Sequence, residues 1–167
     1  LSVVGVWERG RLLPARADTL LSEDSVPVVV GTEEQVSGLN AMFVIYAPND
    51  APVLVIGGGK VGRAALRALA AKQVSTQVIE AEEKLRAKLE ALTSKVIIGD
   101  AANLQVMRDA GIENAPSVVL TTHDDAVNIY LAIYCRRLNP HCHIVSRVTH
   151  ERNIEAIHRA GANFVLS

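Results

Sequence analysis

The sequence predicts an α/β protein, a doubly wound parallel sheet preceded by a small strand-rich α+β lobe. Three observations carry this. From Pro52 onward, short β-branched runs alternate with longer helical stretches. Runs such as Val53–Ile56 and Ser117–Leu120 contain scarcely any polar alternation, as expected of strands covered on both faces. The stretch VLVIGGGKVGRAALRALAA, Val53 to Ala71, places a glycine cluster where the first of these strands gives way to the first of these helices. Glycine loses the most conformational freedom on folding, so the cluster needs a physical reason.

Before Pro52 the elements are short. SVVGVWERGRLLP reads as two strands turning at Glu8-Arg9-Gly10, with Gly10 supplying any positive φ the turn needs. VPVVVG, Val26 to Gly31, is a third strand. TEEQVSGLN starts a short helix in which Thr32 caps the free N–H groups and Gln35, three residues on, completes a capping box. YAPNDAP, Tyr46 to Pro52, is a polar connector with two prolines and marks a domain boundary. The expected organisation is therefore residues 1–45, a linker at 46–52, and a second lobe at 53–167.

In that second lobe the expected strands are Val53–Ile56, Ser75–Glu80, Lys95–Ile98, Ser117–Leu120, His143–Val148 and Asn163–Leu166. The expected helices lie near Val61–Lys72, Ala81–Leu92, Asn103–Ala110, Asp125–Leu138 and Glu151–Ala160. Gly111 and Gly161 follow two of these helices and suit left-handed caps. With right-handed crossovers this alternation gives a Rossmann-like sheet.

Gly57, Gly59 and Gly62 then form G-x-G-x-x-G at the end of the first strand. Gly57 permits a tight turn, Gly59 lets the backbone approach a pyrophosphate, and Gly62 lets helix and strand pack closely. The helix N-terminus offers free N–H groups and the positive end of its dipole to a phosphate. Lys60 adds a charge inside the loop. Glu80, 23 residues after Gly57 at the end of the second strand, stands where an acid grips the ribose hydroxyls. A carboxylate there favours NAD or another adenosine diphosphate over a 2′-phosphorylated cofactor. Two more loops lie at strand C-terminal ends. In GDAAN, Asp100 bonds an adenine amino group or caps the next helix; in TTHDD, Thr121 and Thr122 offer hydroxyls to phosphate or ribose while Asp125 reads as the N-cap.

Other classes find little support. A formal net charge of −1 gives no electrostatic reason to expect nucleic acid or an anionic membrane surface as partner. No apolar run approaches the ~20 residues that cross a bilayer. Cys135 and Cys142 make no disulfide framework and suit a reducing compartment. His123 beside Asp124 has no nucleophile placed with it, so no catalytic residue is assigned. In HCHI a strand would point His141 and His143 one way and Cys142 the other, so no metal site is expected. The helix Asp125–Leu138 carries Val127, Tyr130, Leu131, Ile133, Tyr134 and Leu138, a wider apolar surface than one sheet face needs, so it is either simply well buried or, the favoured reading, also serves a subunit interface. The absence of an initiating Met suggests a piece of a longer chain.

The residues of VLVIGGGKVGRAALRAL, of VIE, of VIIGDAANLQVMRDAGIENAPSVVLTTHDDAVNIYLAIYCRRLNP and of HIVSRVTHERNIEAIHRAGANFVLS together resemble the N-terminal lobe of the RCK family, regulators of potassium conductance also called Trk/Ktr N domains. The segment SVVGVWERGRLLPARADTLLSEDSVPVVVG resembles the latter part of the small C-terminal lobe of the same family, which is how residues 1–45 are read. A small lobe followed by a nucleotide lobe reverses the order of one unit, so the chain is expected to span the joint of a tandem pair. The resemblance implies a regulatory module, not an enzyme, on the cytoplasmic side of the membrane. Its implied partners are other RCK units in a ring and the pore of a potassium channel or transporter; its implied ligand is NAD or NADH, alternatively ADP or ATP. By residue, Gly57, Gly59, Lys60, Val61 and Gly62 would hold phosphates and Glu80 the ribose. Asp100 and Ala101 would flank the adenine, and Thr121, Thr122 and His123 would line the far side. Lys60 stands where many members carry arginine. The alternatives are a free regulatory subunit docking on a separate membrane protein and, further off, a fragment of an NAD-dependent dehydrogenase.

Overall fold

Two consecutive residues with positive φ, Arg9 at 46° and Gly10 at 81°, turn strand β1 (Ser2–Glu8) back onto β2 (Arg11–Pro14). Glu8 pairs with Arg11, so the loop is two residues long, and positive φ at both matches the right-handed strand twist. β3 (Val26–Val30) pairs antiparallel on the other side of β1, giving a three-stranded sheet in the order β2-β1-β3. Helix α1 (Glu33–Met42) starts with the expected reciprocal cap: Thr32 N–H donates to Gln35 Oε1 at 3.1 Å, and Gln35 N–H donates to Thr32 Oγ1 at 3.3 Å. This computed structural model describes residues 1–22, 25–42 and 49–167, so residues 46–48 of the expected linker lie outside the described residues. Contacts divide the chain into one unit at Leu1–Asn49 and another at Asp50–Ser167.

The second unit is an all-parallel six-stranded sheet. Its strands are β4 (Val53–Ile56), β5 (Thr76–Glu80), β6 (Lys95–Ile98), β7 (Ser117–Leu120), β8 (His143–Arg147) and β9 (Phe164–Leu166). They stand in the order β6-β5-β4-β7-β8-β9. The chain winds outward from β4 in one direction, then returns past it to wind the other way, so β4 and β7 flank the switch point. All four residues of β4 are buried. Val55 joins Val78, Leu66 and Leu89 on one face, while Leu54 and Ile56 join Val118, Leu120, Leu131, Ile144 and Ile157 on the other. Burial on both faces is why β4 carries no polar alternation.

Helices α2 (Lys60–Ala71) and α3 (Arg86–Glu90) cover the first face through Leu66 and Leu89. Helices α4 (Leu104–Asp109), α5 (Asp125–Leu138) and α6 (Ile154–Arg159) cover the second through Met107, Leu131 and Ile157. Gly111 and Gly161 do adopt positive φ, 74° and 116°. The helix expected at Ala81–Leu92 is shorter: a 3₁₀ turn at Glu83–Leu85 leads into α3. The cause is Glu80, whose Oε1 accepts the Glu82 N–H at 2.8 Å and keeps Glu82 extended (φ −97°, ψ 110°). The last helix is likewise split, with a 3₁₀ turn at Glu151–Asn153 before α6.

Two polar side chains, buried Asn139 and half-buried Arg136, staple the β7–β8 half. Asn139 donates to the carbonyls of Ile112 and Ala115 and accepts from the N–H groups of His141 and Cys142. Arg136 gives its guanidinium to the carbonyls of Pro140, Cys142 and Gly161 and to Asn163 Oδ1 at 2.6–2.9 Å, tying α5 to the turns before β8 and β9.

Candidate functional site

The glycine turn is held from several sides by the protein itself. Gly57 has φ +102°, a conformation that side chains other than glycine's rarely adopt. A Cβ on Gly62 would lie 1.9 Å from the Gly57 carbonyl oxygen, so only glycine lets α2 start this close to the turn. Gly58 N–H donates to Glu80 Oε2 at 2.5 Å, and Arg63 donates to the Gly58 carbonyl at 2.8 Å. Thr121 Oγ1 donates to the carbonyl of Gly57 at 2.8 Å. Gly59, by contrast, faces open space: a Cβ there would meet nothing within 4 Å. It is the N-cap of α2, and no side chain caps that helix. Its first-turn N–H groups therefore need an acceptor from elsewhere, and the aligned dipole favours an anion.

A cavity of about 680 Å³ opens at this point, along the C-terminal ends of the strands. Gly57, Gly59, Lys60 and Val61 line it, as do Glu80, Asp100 and Ala101 from the β5–β6 side. Thr121, Thr122 and His123 line it from β7. The structure thus brings together all the residues expected to hold the nucleotide except Gly62, which is buried behind the turn.

Several of them do more, or other, work than the sequence suggested. Glu80 is 8% exposed, and its two oxygens each already accept one backbone N–H, from Gly58 and from Glu82. It therefore shapes the glycine loop, with lone pairs left over for a sugar hydroxyl. Asp100 does not cap α4. It closes a tight turn by accepting the Ala102 N–H at 2.8 Å, while Asn103 takes the cap by accepting from Gln105 and Val106. Thr121 spends its hydroxyl proton on the glycine turn, and Thr122 Oγ1 donates to Asn128 Oδ1 on α5 at 2.7 Å.

The cap of α5 is also corrected. Asp124, not Asp125, accepts the N–H groups of Ala126 and Val127. Asp125 is 6% exposed and turns inward, where it accepts from Thr149 N–H at 2.7 Å, His150 N–H at 3.0 Å and Asn153 Nδ2 at 2.8 Å, with His150 Nδ1 at 3.2 Å. Burial alone would push its carboxyl up. The bonds from Asn153, Thr149 and His150 outweigh that and hold it well below the usual carboxylate range. In an N-cap pair of two acids, the sequence does not say which one points in.

Sequence reasoning missed Arg147, the last residue of β8, which lines the cavity. The signal was available: it ends a strand on the same ligand-binding edge. It also missed that α5 reaches the cavity through Val127, Tyr130 and Leu131. Leu131 packs into the core, but Val127, Tyr130 and Ile133 are 41%, 49% and 53% exposed, and Tyr130 stacks on Tyr134 with ring centroids 5.9 Å apart. β8 begins at His143, so His141 lies in the preceding turn. Burial pushes the Cys135 thiol up to about 12 and also raises that of Cys142, which keeps both protonated and poorly nucleophilic.

A family model described as the TrkA-N domain matches residues 53–167. The chain belongs to the TrkA-N (RCK) family. A protein of Methanothermus fervidus is 33% identical over 117 residues, a match covering 68% of this chain and 18% of that protein. The crystal structure of the GsuK RCK domain is 37% identical with a TM-score of 0.74, covering 99% of this chain and 35% of that one. The GsuK channel bound to NAD is 37% identical with a TM-score of 0.72, covering 99% and 29%. GsuK bound to ADP is 36% identical with a TM-score of 0.62, covering 72% and 31%. This chain thus spans well under half the length of each. Among the described residues, no helix is long and apolar enough to cross a membrane.

Proposed function

We propose that residues 53–167 are the nucleotide-sensing lobe of a regulator of potassium flux, binding NAD(H) or an adenine nucleotide and passing its occupancy on to a channel or transporter. One observation carries this: an uncapped α2 and the unobstructed Gly59 open together into a 680 Å³ cavity at the topological switch point. The residues fit such a ligand. The bare amides of the first turn of α2 and the Lys60 ammonium suit a diphosphate, Glu80 retains acceptor capacity for a ribose hydroxyl, and Asp100, on the cavity wall, would flank the adenine. That GsuK is known with NAD and with ADP supports the same choice of ligand.

Residues 1–45 are, on this reading, the latter part of the small lobe of a preceding RCK unit, and residues 46–52 join it to the sensor. The alignment of nearly the whole chain with the GsuK RCK domain favours this order. The role is regulatory, not catalytic. Further RCK units would complete a ring on the cytoplasmic side of the membrane, beneath a pore. A ligand with different affinity for two ring conformations shifts their populations, and a coupling of ~1–3 kcal/mol is enough for useful control.

Calorimetry with NAD, NADH and ADP on the chain tests the sensor. Saturable binding of at least one of them is expected. No heat and no displacement of a fluorescent adenine nucleotide at millimolar ligand would end this reading.

A further inference from the structure

The charges lining the cavity are sorted. The acids Glu80, Glu82 and Asp100 stand at the β5–β6 end, whereas the cations Lys60 and Arg147 stand at the glycine loop and at the β8 end. Arg147 is half-buried, and among the described residues no carboxylate pairs with it. Its guanidinium makes one long contact, Nη1 to the Thr122 carbonyl at 3.4 Å. Its backbone is fixed. Asn128, fully buried, donates to the Arg147 carbonyl at 3.1 Å and to the Thr122 carbonyl at 3.2 Å, locking the ends of β7 and β8 together.

Neighbouring strands lie ~4.8 Å apart, so β8 ends two spacings, roughly 10 Å, from β4 and its glycine loop. The contact to Thr122 draws the guanidinium back over the end of β7, one strand from that loop. A half-buried guanidinium with one weak partner among the described residues is poised for an anion, and its planar fork matches two oxygens of one phosphoryl group.

We propose that Arg147 recognises a terminal phosphoryl group of the bound nucleotide, so that the cavity ranks adenine nucleotides ending in a free phosphate above those in which that phosphate is esterified. A free terminal phosphate offers three non-bridging oxygens and up to two charges. In a dinucleotide the second phosphorus carries a sugar ester and one charge, leaving the fork a poorer match. The proposal rests on the nucleotide reading of the site and adds the residue that sorts its ligands.

The test is competitive calorimetry of ATP, ADP and NAD on the chain, its Arg147→Gln variant and its Arg147→Lys variant, with thermal unfolding of each. Arg147→Gln is expected to weaken ATP and ADP by about tenfold or more, the weight of one charge-assisted pair, and NAD by less than threefold. Arg147→Lys should fall between, because the charge stays and the fork is lost. Retained NAD affinity also shows that the variant folds. An equal loss for all three ligands, or unchanged ATP and ADP affinity, overturns the role of Arg147 while leaving the sensor standing. Failure of the unaltered chain to bind any of them overturns both.

Discussion

Gly59→Ala separates the site from the fold. Gly59 has φ −64° and ψ −164°, a region open to any residue, and an added Cβ meets no protein atom within 4 Å. Alanine is a poorer N-cap than glycine by about 0.5–1 kcal/mol. It also restricts the unfolded chain, which returns about 0.4–1 kcal/mol. The net change in stability should stay within ~0.5 kcal/mol. The methyl group would nevertheless stand in the open space before the bare amides of α2, where a phosphate must come within hydrogen-bonding distance. Nucleotide affinity should therefore fall at least tenfold, about 1.4 kcal/mol. Gly62→Ala should do the opposite first. Its Cβ would lie 1.9 Å from the Gly57 oxygen and 2.8 Å from Thr121 Oγ1, so α2 has to retreat. A helix-propensity gain of ~1 kcal/mol offsets only part of that, leaving a net loss of about 2 kcal/mol. Urea unfolding gives the stabilities and calorimetry the affinities. Wild-type binding by Gly59→Ala would show that no phosphate lies against that residue, and a large loss of its stability would show that the space around it is not free.

Three further outcomes are expected. Glu80→Ala should weaken NAD or ADP binding and also make the glycine loop more mobile, read as faster amide exchange at Gly58 and Glu82; loss of affinity without faster exchange would confine Glu80 to the sugar. Asp125→Ala should cost about 2–4 kcal/mol, since three donors from the Thr149–Asn153 segment lose a buried charged acceptor. Because the folded carboxyl is held below its unfolded value of about 3.9, its contribution is full above that pH and fades as pH falls further, so the variant's stability should vary less with pH in the acid range; parallel profiles would remove the bonds to Asp125 as its source. Tyr130→Glu, which places a charge on the exposed stripe with Val127 and Ile133, should shift sedimentation toward smaller species, and an unchanged profile would leave that stripe without a subunit partner.

The sequence by itself determined the sheet, its parallel sense and the edge where the candidate site lies. These depend on local quantities: unbroken apolar runs read as doubly covered strands, and the G-x-G-x-x-G spacing marks one strand-to-helix turn. It also placed Gly111 and Gly161 at helix ends. What tertiary structure alone decided was the partner of each polar group. Asp124 and Asp125 are adjacent and chemically alike, and only the arrival of the Thr149–Asn153 loop made one a cap and the other a buried anchor. Glu80 became a brace for the glycine loop because Gly58 comes within its reach, and that same carboxylate delayed α3. Arg147 joined the site because β8 lies next to β7, a neighbour 25 or more residues away in the chain. Periodicity and propensity are properties of a segment, whereas hydrogen-bond partners and cavity walls exist only once distant segments meet.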